Sequence, residues 1–272
     1  MTSPKPLEYG QYYHIYNRGN SGENLFFEER NYRHFLELYV RYIEPVADTF
    51  AYCLLRNHFH VLVYVKTVEE QVEAHQTPRV RIPGSLEAPR VLEEFKPQKP
   101  SQQFGNLFNA YAKAVNKAYG RTGSLFENPF GRKLVTSDAY FAQLIAYIHY
   151  NPQKHRFVDD FRAWDFSSFH AMLSRKPTRL KRDVVLDWFD GASGFRAAHR
   201  REVNESLIAP LVADDYTQDL KGFPSDPRSA PLGSEGRTAS LPNSKNEPQF
   251  ARWPINLAPP DQPDNLPISL IT

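Results

Sequence analysis

Phe50-Ala-Tyr-Cys-Leu-Leu-Arg-Asn-His-Phe-His-Val-Leu-Val-Tyr-Val65 decides how this chain folds. It is apolar, aromatic and β-branched throughout, apart from Arg56-Asn57 and two histidines. Residues 50–55 and 58–65 therefore read as two strands reversed tightly at Arg56-Asn57. Side chains alternate along a strand, so His58, His60, Leu62 and Tyr64 share one face. Phe59, Val61, Val63 and Val65 take the other. The second strand thus carries one wholly apolar face and one face with two imidazoles side by side.

Working outward, Tyr12-Tyr-His-Ile-Tyr-Asn-Arg18, closed by Gly19-Asn20, predicts a strand ahead of the hairpin. Asn31 suits the N-cap of a helix carrying Phe35, Leu38, Tyr39 and Tyr42 at 3-and-4 spacing and ending near Pro45. Beyond the hairpin, a helix is expected from about Gln102 to Tyr119, a short strand near Lys133–Thr136, and a helix capped by Ser137 or Asp138. That last helix is expected to stop after Tyr150, at Asn151-Pro152. The expected fold is α+β, a ferredoxin-like antiparallel sheet with helices packed on one face. Residues 1–170 form this domain, residues 171–208 an accessory helical element split at Gly191, and residues 209–272 a tail. The tail holds 11 of the 22 prolines and no sustained period, which predicts disorder. A second low-order stretch, residues 67–100, reads as a long insertion with scattered prolines.

The 272 residues are 41% hydrophobic and 14% aromatic, enough for a sizeable core, and no run is long enough for a membrane span. The first residues contain no apolar core of a signal peptide, and the single Cys53 excludes an internal disulfide framework or a cysteine-rich zinc module. The expectation is a soluble protein of a reducing compartment. A net charge of +2 conceals a partition: residues 96–182 hold 15 Lys and Arg against 5 Asp and Glu, whereas residues 209–272 are net acidic. A basic segment rich in Tyr, Phe and Asn suits an anionic polymer, although a solvated basic face on an ordinary enzyme reads the same way.

His58 and His60 are placed to share one divalent cation, and an incomplete ligand set leaves positions for substrate oxygens. Taken alone, such a pair is as readily a surface or core pair. In the helix after Asp138, the apolar stripe is Phe141, Leu144, Ile145 and Ile148, and Tyr147 and Asn151 lie together at its edge. Tyr147 is expected to reach the functional face of the sheet while staying accessible, with Asn151 adding a carbonyl oxygen to the metal. A boundary aromatic and a helix-ending asparagine are the plainer alternatives. A phenol near pKa ~10 is a weak nucleophile at neutral pH. A tyrosine facing a half-filled metal site therefore points to assisted attack on phosphate and a covalent phosphodiester. No Gly-rich phosphate loop is present, so no nucleotide cofactor is expected.

These residues resemble those of a known family. Asn57-His-Phe-His-Val-Leu-Val63 resembles the His-hydrophobe-His strand of the HUH single-tyrosine transposases. Tyr147-Ile-His-Tyr-Asn-Pro152 is similar to the tyrosine-helix signature of their REP-associated branch, the RAYT proteins. Tyr13–Gly19, Gly120-Arg-Thr-Gly-Ser-Leu-Phe126 and Trp164-Asp-Phe-Ser-Ser-Phe169 agree with the same branch, in the same order. The resemblance implies one Mg²⁺ or Mn²⁺ held by His58, His60 and Asn151, with Tyr147, rather than Tyr150, as the nucleophile. It implies cleavage and rejoining of single-stranded, hairpin-forming repeat DNA through a 5′-phosphotyrosine, by a prokaryotic cytoplasmic protein associated with the nucleoid. A monomer and a homodimer both suit it.

Phosphate contacts are expected from Arg18, Arg121 and Arg132 first, then Lys133, Lys113, Lys117, Lys154 and Arg156, with Arg179, Lys181 and Arg182 as a further grip. His14, His34, His149 and His155 show no partner pattern and read as structural or surface residues; Cys53 reads as a small core residue. Two other functions remain. One is a non-catalytic single-stranded nucleic-acid-binding module. The other is a metal-dependent hydrolase using water, for which no convincing third carboxylate ligand or general base is apparent.

Overall fold

The computed structural model of the chain describes residues 5–76 and 95–200. The expected tail, residues 209–272, and most of the expected insertion lie outside them. In chain order the elements are β1 (Tyr12–Arg18), α1 (Glu29–Tyr42), β2 (Ala47–Leu54), β3 (His58–Val65), α2 (Val68–Gln76), α3 (Pro100–Tyr119), β4 (Gly131–Leu134), α4 (Asp138–Lys154), α5 (Phe169–Leu173), α6 (Arg182–Trp188) and α7 (Gly191–Ala198). The four strands form one sheet in the order β2-β3-β1-β4, with every neighbouring pair antiparallel. This is the ferredoxin-like arrangement, and it puts the histidine strand β3 in the interior of the sheet.

Most elements form where their residues predict, and the differences have local causes. The helix α1 begins two residues before Asn31 because Glu28 is the true N-cap. The Glu28 side chain accepts from the Asn31 backbone, and Asn31 Oδ1 accepts from the Glu28 N–H at 3.0 Å, a reciprocal capping box. The expected insertion opens with an ordered helix, α2. Gln71 Oε1 accepts from the Gln98 N–H at 2.9 Å, and the His75 and Phe95 rings stack, so residues on either side of the gap are joined. The helix α4 runs through Asn151-Pro152 to Lys154 rather than stopping there. Proline has no N–H to donate and usually breaks a helix interior, but here it sits in the last turn. The backbone continues with His155 N–H donating to Asn151 O at 2.9 Å, and the helix ends before Arg156, which takes a positive φ of 57°.

Helices cover both faces of the sheet, not one. Phe59 on β3 meets Phe35 of α1 and Phe108 of α3, at ring separations of 5.3 and 5.7 Å, so α1 and α3 lie over the apolar face of β3. On the opposite face, Tyr12 packs on Tyr64 and on Phe141 of α4, and His60 meets Tyr147 of α4. The histidine face is therefore roofed by the tyrosine helix, which a single amphipathic stripe on each helix could not reveal. Each fully buried aromatic such as Phe35 or Phe59 stabilises this arrangement by about 1.5–3 kcal/mol.

The segment Trp164–Phe169 closes the exposed edge of β2. Trp164 Nε1–H donates to Leu54 O at 2.8 Å, Leu54 N–H donates to Phe166 O at 2.9 Å, and Ser168 exchanges hydrogen bonds with Tyr52. Phe166 also stacks on Tyr32 of α1 at 3.9 Å. An edge strand left open would invite pairing with another chain, and this clasp occupies it. At the end of β1, Gly19 is needed for space: a Cβ there would stand 1.8 Å from Glu23 O.

Candidate active site

His58 and His60 are both buried on the α4 side of β3, at 7% and 1% exposure. Desolvation holds both imidazoles well below their usual pKa. The next cause is a neighbouring histidine in each case, His155 for His58 and His14 for His60, and Lys154 adds to both. Both rings are therefore neutral at pH 7 and carry a lone pair for a metal. His58 Nδ1 lies 2.8 Å from Asn57 Oδ1, an acceptor only, so the proton sits on Nδ1 and the lone pair on Nε2.

The helix α4 brings the rest of the site. The Tyr147 ring stands edge-on to His60 at 5.8 Å, and Lys154 Nζ lies over the Tyr147 ring, 4.8 Å from its centroid. Two turns after Tyr147, the His155 ring reaches His58 at 4.7 Å. Asn151 lies between them on the same side of the helix. Its Nδ2 donates back to Tyr147 O at 3.0 Å, and its Oδ1 is buried with no hydrogen-bond partner among the described residues. A buried amide oxygen without a donor is costly unless something else approaches it. Two neutral imidazoles and an orphaned carbonyl oxygen are donors that fit a divalent ion. Among the described residues no three His, Cys, Asp or Glu side chains converge to hold a metal by themselves, so the amide would be needed.

Two features of the site differ from the sequence reading. Tyr147 is fully buried rather than accessible, because its side chain turns into the sheet toward His60 instead of running along the helix edge. His14 and His155, read as structural or surface residues, both belong to the histidine cluster. For His14 the signal was present in the alternation of β1, which puts Tyr12, His14 and Tyr16 on one face. Its proximity to His60 depended on strand pairing. For His155 it was hidden by the expectation that α4 ends at Asn151.

The basic residues divide by face. Arg18 pairs with His58 across β1 and β3, and Lys133 pairs with His14 across β4 and β1, so both lie on the histidine face, as does Lys154. Arg132 pairs with Ile15 and lies on the opposite face. There it stacks on Phe130 at 3.7 Å, donates to Lys5 O and to Ser101 Oγ, and is half-buried. Arg121 is tied to Glu23 and to Asn116. Lys113 and Lys117 are exposed on α3, over the far face, and Arg156 is exposed just past α4. In the accessory element, Arg179 pairs with Glu44 and Lys181 with Asp48, and Arg182 donates to Ser174 O and Lys176 O. The structure therefore gathers Arg18, Lys133 and Lys154 at the site and gives Arg121, Arg132, Arg179, Lys181 and Arg182 intramolecular partners.

His149, two residues from Tyr147 and so on the opposite side of α4, points away into a separate buried chain. Its Nε2 lies 2.6 Å from Ser168 Oγ and its Nδ1 2.8 Å from His199 Nε2, and His199 Nδ1–H donates to Phe195 O. Cys53 is buried with its thiol pushed up by desolvation, an unreactive core residue.

The fold and site define an α+β protein of the ferredoxin-like class, with a His-hydrophobe-His strand under a tyrosine-bearing helix. No family model matches the chain. Its sequence is similar to a Haemophilus influenzae protein named "Putative REP-associated tyrosine transposase", with 25% identity over 123 residues, 45% of this chain. The match spans 59% of that relative's length. A solved structure of a REP-associated tyrosine transposase bound to a REP hairpin matches with a TM-score of 0.45 and 15% identity, over 65% of this chain and 88% of that one. The chain thus resembles the REP-associated tyrosine transposases, as its motifs imply.

Proposed function

We propose that this chain is a divalent-metal-dependent, single-stranded DNA endonuclease and strand transferase that acts on hairpin-forming repeat DNA through Tyr147. The observation that carries the reading is the meeting of Tyr147 with the buried pair His58 and His60 on one face of the sheet, beneath the Lys154 ammonium. His58, His60 and Asn151 would hold Mg²⁺ or Mn²⁺, which when bound polarises a scissile phosphate and offsets its developing charge. The phenol oxygen of Tyr147 attacks phosphorus and loses its proton. The P–O3′ bond breaks, the leaving 3′ oxygen takes up a proton, and a 5′-phosphotyrosine remains. A 3′-OH from a second strand reverses these bonds and completes the transfer, so no external energy source is required.

Lys154, whose ammonium stands over the Tyr147 ring, is placed to assist loss of the phenol proton as the bond to phosphorus forms. Arg18 and Lys133, on the same face, are placed to neutralise phosphates along a bound strand. Because Tyr147 is fully buried, the strand reaches it only after α4 shifts or opens locally, which makes DNA binding and exposure of the nucleophile a single coupled event. A REP element as the DNA partner is supported by the name of the Haemophilus influenzae relative. The presence of the two histidines, the tyrosine and the amide in one cluster favours turnover over a purely binding role.

The test is a denaturing gel of the protein with labelled hairpin DNA and Mn²⁺ or Mg²⁺, comparing wild type, Tyr147→Phe and Tyr150→Phe. A protease-sensitive covalent adduct in wild type and Tyr150→Phe but not in Tyr147→Phe is the expected result. An adduct that persists in Tyr147→Phe refutes the nucleophile assignment. Cleavage without any adduct identifies a hydrolase using water, and binding with neither cleavage nor adduct identifies a binding module.

A further inference from the structure

His14 of β1 is fully buried and has a contact that the proposed chemistry has not used. Its register partner on β3 is Leu62, which makes His60 its diagonal neighbour on the same face. His14 Nε2 lies 3.0 Å from His60 Nδ1, with the two rings stacked at 5.1 Å and 24°. Tyr16 flanks both rings, 5.0 Å from His14 and 6.1 Å from His60, and limits their rotation.

A hydrogen bond between two neutral imidazoles needs one N–H and one lone pair, so it has two possible polarities. If His60 Nδ1 carries the hydrogen, His60 Nε2 presents a lone pair. If His14 Nε2 carries it, His60 Nδ1 is the acceptor and the proton moves to His60 Nε2, where it blocks a metal. His58 displays the first pattern through its neighbour Asn57, whose oxygen accepts from Nδ1. The equivalent atom of His60 meets His14 Nε2 at a similar distance, from a different strand.

We propose that His14 is a positioning residue that accepts the His60 Nδ1 hydrogen, fixing His60 in the tautomer that offers Nε2 to the divalent ion. This role rests on the metal reading of His58 and His60 above, and it assigns β1 a part in the site. Outer partners of this kind set ligand-ring orientation, and their loss typically weakens metal affinity 10–100-fold.

The test uses the full chain. His14→Phe keeps an aromatic ring in the stack but removes the acceptor, and His14→Gln returns an amide oxygen that can accept. Long-range ¹H–¹⁵N spectra of the metal-free protein, with His60 assigned from the spectrum of His60→Gln, report which nitrogen is protonated. Mn²⁺ affinity is measured separately, by counting free ion in electron paramagnetic resonance titrations without DNA.

The expected result is a proton on His60 Nδ1 in wild type and His14→Gln, and a mixed or Nε2-protonated ring in His14→Phe. Mn²⁺ affinity should fall 10–100-fold in His14→Phe and return to near the wild-type value in His14→Gln. A wild-type His60 protonated at Nε2 overturns the proposal, and so does a folded His14→Phe that binds Mn²⁺ as the wild type does. If His14→Phe lacks a thermal transition, the wild-type tautomer decides alone. Failure of the wild type to bind Mn²⁺ would instead overturn the metal reading itself, and the role of His14 with it.

Discussion

Tyr147 and Lys154 are seven residues apart on α4, two turns along one side of a helix, and this spacing puts an ammonium over a phenol ring. In the proposed mechanism this cation assists loss of the phenol proton, so Lys154→Met should hinder it. The pH at which adduct formation reaches half its maximum rate should then move upward by roughly one unit. Single-turnover rates across pH check this, and an unmoved profile means that the charge does not act on the phenol. His58→Ala and His60→Ala should each abolish metal-dependent cleavage while leaving hairpin binding measurable by gel shift. Undiminished cleavage in either variant refutes the ligand role. The residue scale is also where sequence reading worked best, because the His-x-His alternation and the helical offset of Tyr147 and Asn151 are local geometry. It did not foresee the intramolecular partners of Arg121 and Arg132, because Glu23, Ser101 and Lys5 come from distant segments.

At the scale of elements, α4 joins two systems that the chain separates. One side carries Tyr147, Asn151 and Lys154, and His149 on another side locks α4 to Ser168 and to His199 after α7. Burial pushes His199 down to about 4, with its bond to Phe195 O opposing the shift, and holds His149 well below the usual histidine range. A histidine whose folded pKa is depressed binds fewer protons folded than unfolded. Its contribution is therefore present above about pH 6.5 and is lost as pH falls toward 4. For His199 this change reaches up to about 3 kcal/mol. Urea denaturation at pH 7 and pH 4.5 should show a loss of stability that His199→Phe reduces; an equal loss in both proteins would show that carboxylates elsewhere govern it. Trp164→Phe, which removes the donor to Leu54 O, should cost about 1 kcal/mol, read in the same denaturation experiment.

Across the whole molecule, the sheet sorts the basic residues into two populations. Arg18, Lys133 and Lys154 share the face with His58, His60 and Tyr147, whereas Lys113 and Lys117 stand on α3 beyond the other face. Each phosphate contact contributes a slope of about 0.7–0.9 to the dependence of log affinity on log salt. Lys133→Gln should therefore reduce the slope for hairpin binding by about that amount, and Lys113→Gln should leave it unchanged. Fluorescence anisotropy across a salt series measures both, and the opposite ranking would place the DNA over α3. No helix among the described residues is long and apolar enough to cross a membrane.

Periodicity and turn chemistry by themselves determined the strands, the main helices, their α+β order, the shared face of His58 and His60, and the helical offset of Tyr147 and Asn151. Those signals act over a few residues, and a period of two or of 3.6 survives in any one sequence. Only the tertiary structure decided that α4 roofs the histidine face while α1 and α3 cover the other, and that Tyr147 is sealed beneath that roof. It also decided that His14 and His155 complete the cluster, and that Arg121 and Arg132 are tied within the protein while Lys133 faces the site. Each of these depends on strand register or on contacts between segments far apart in the chain, such as Arg132 with Lys5, 127 residues away. Such contacts are fixed by packing and pairing, which leave no periodic trace in the chain.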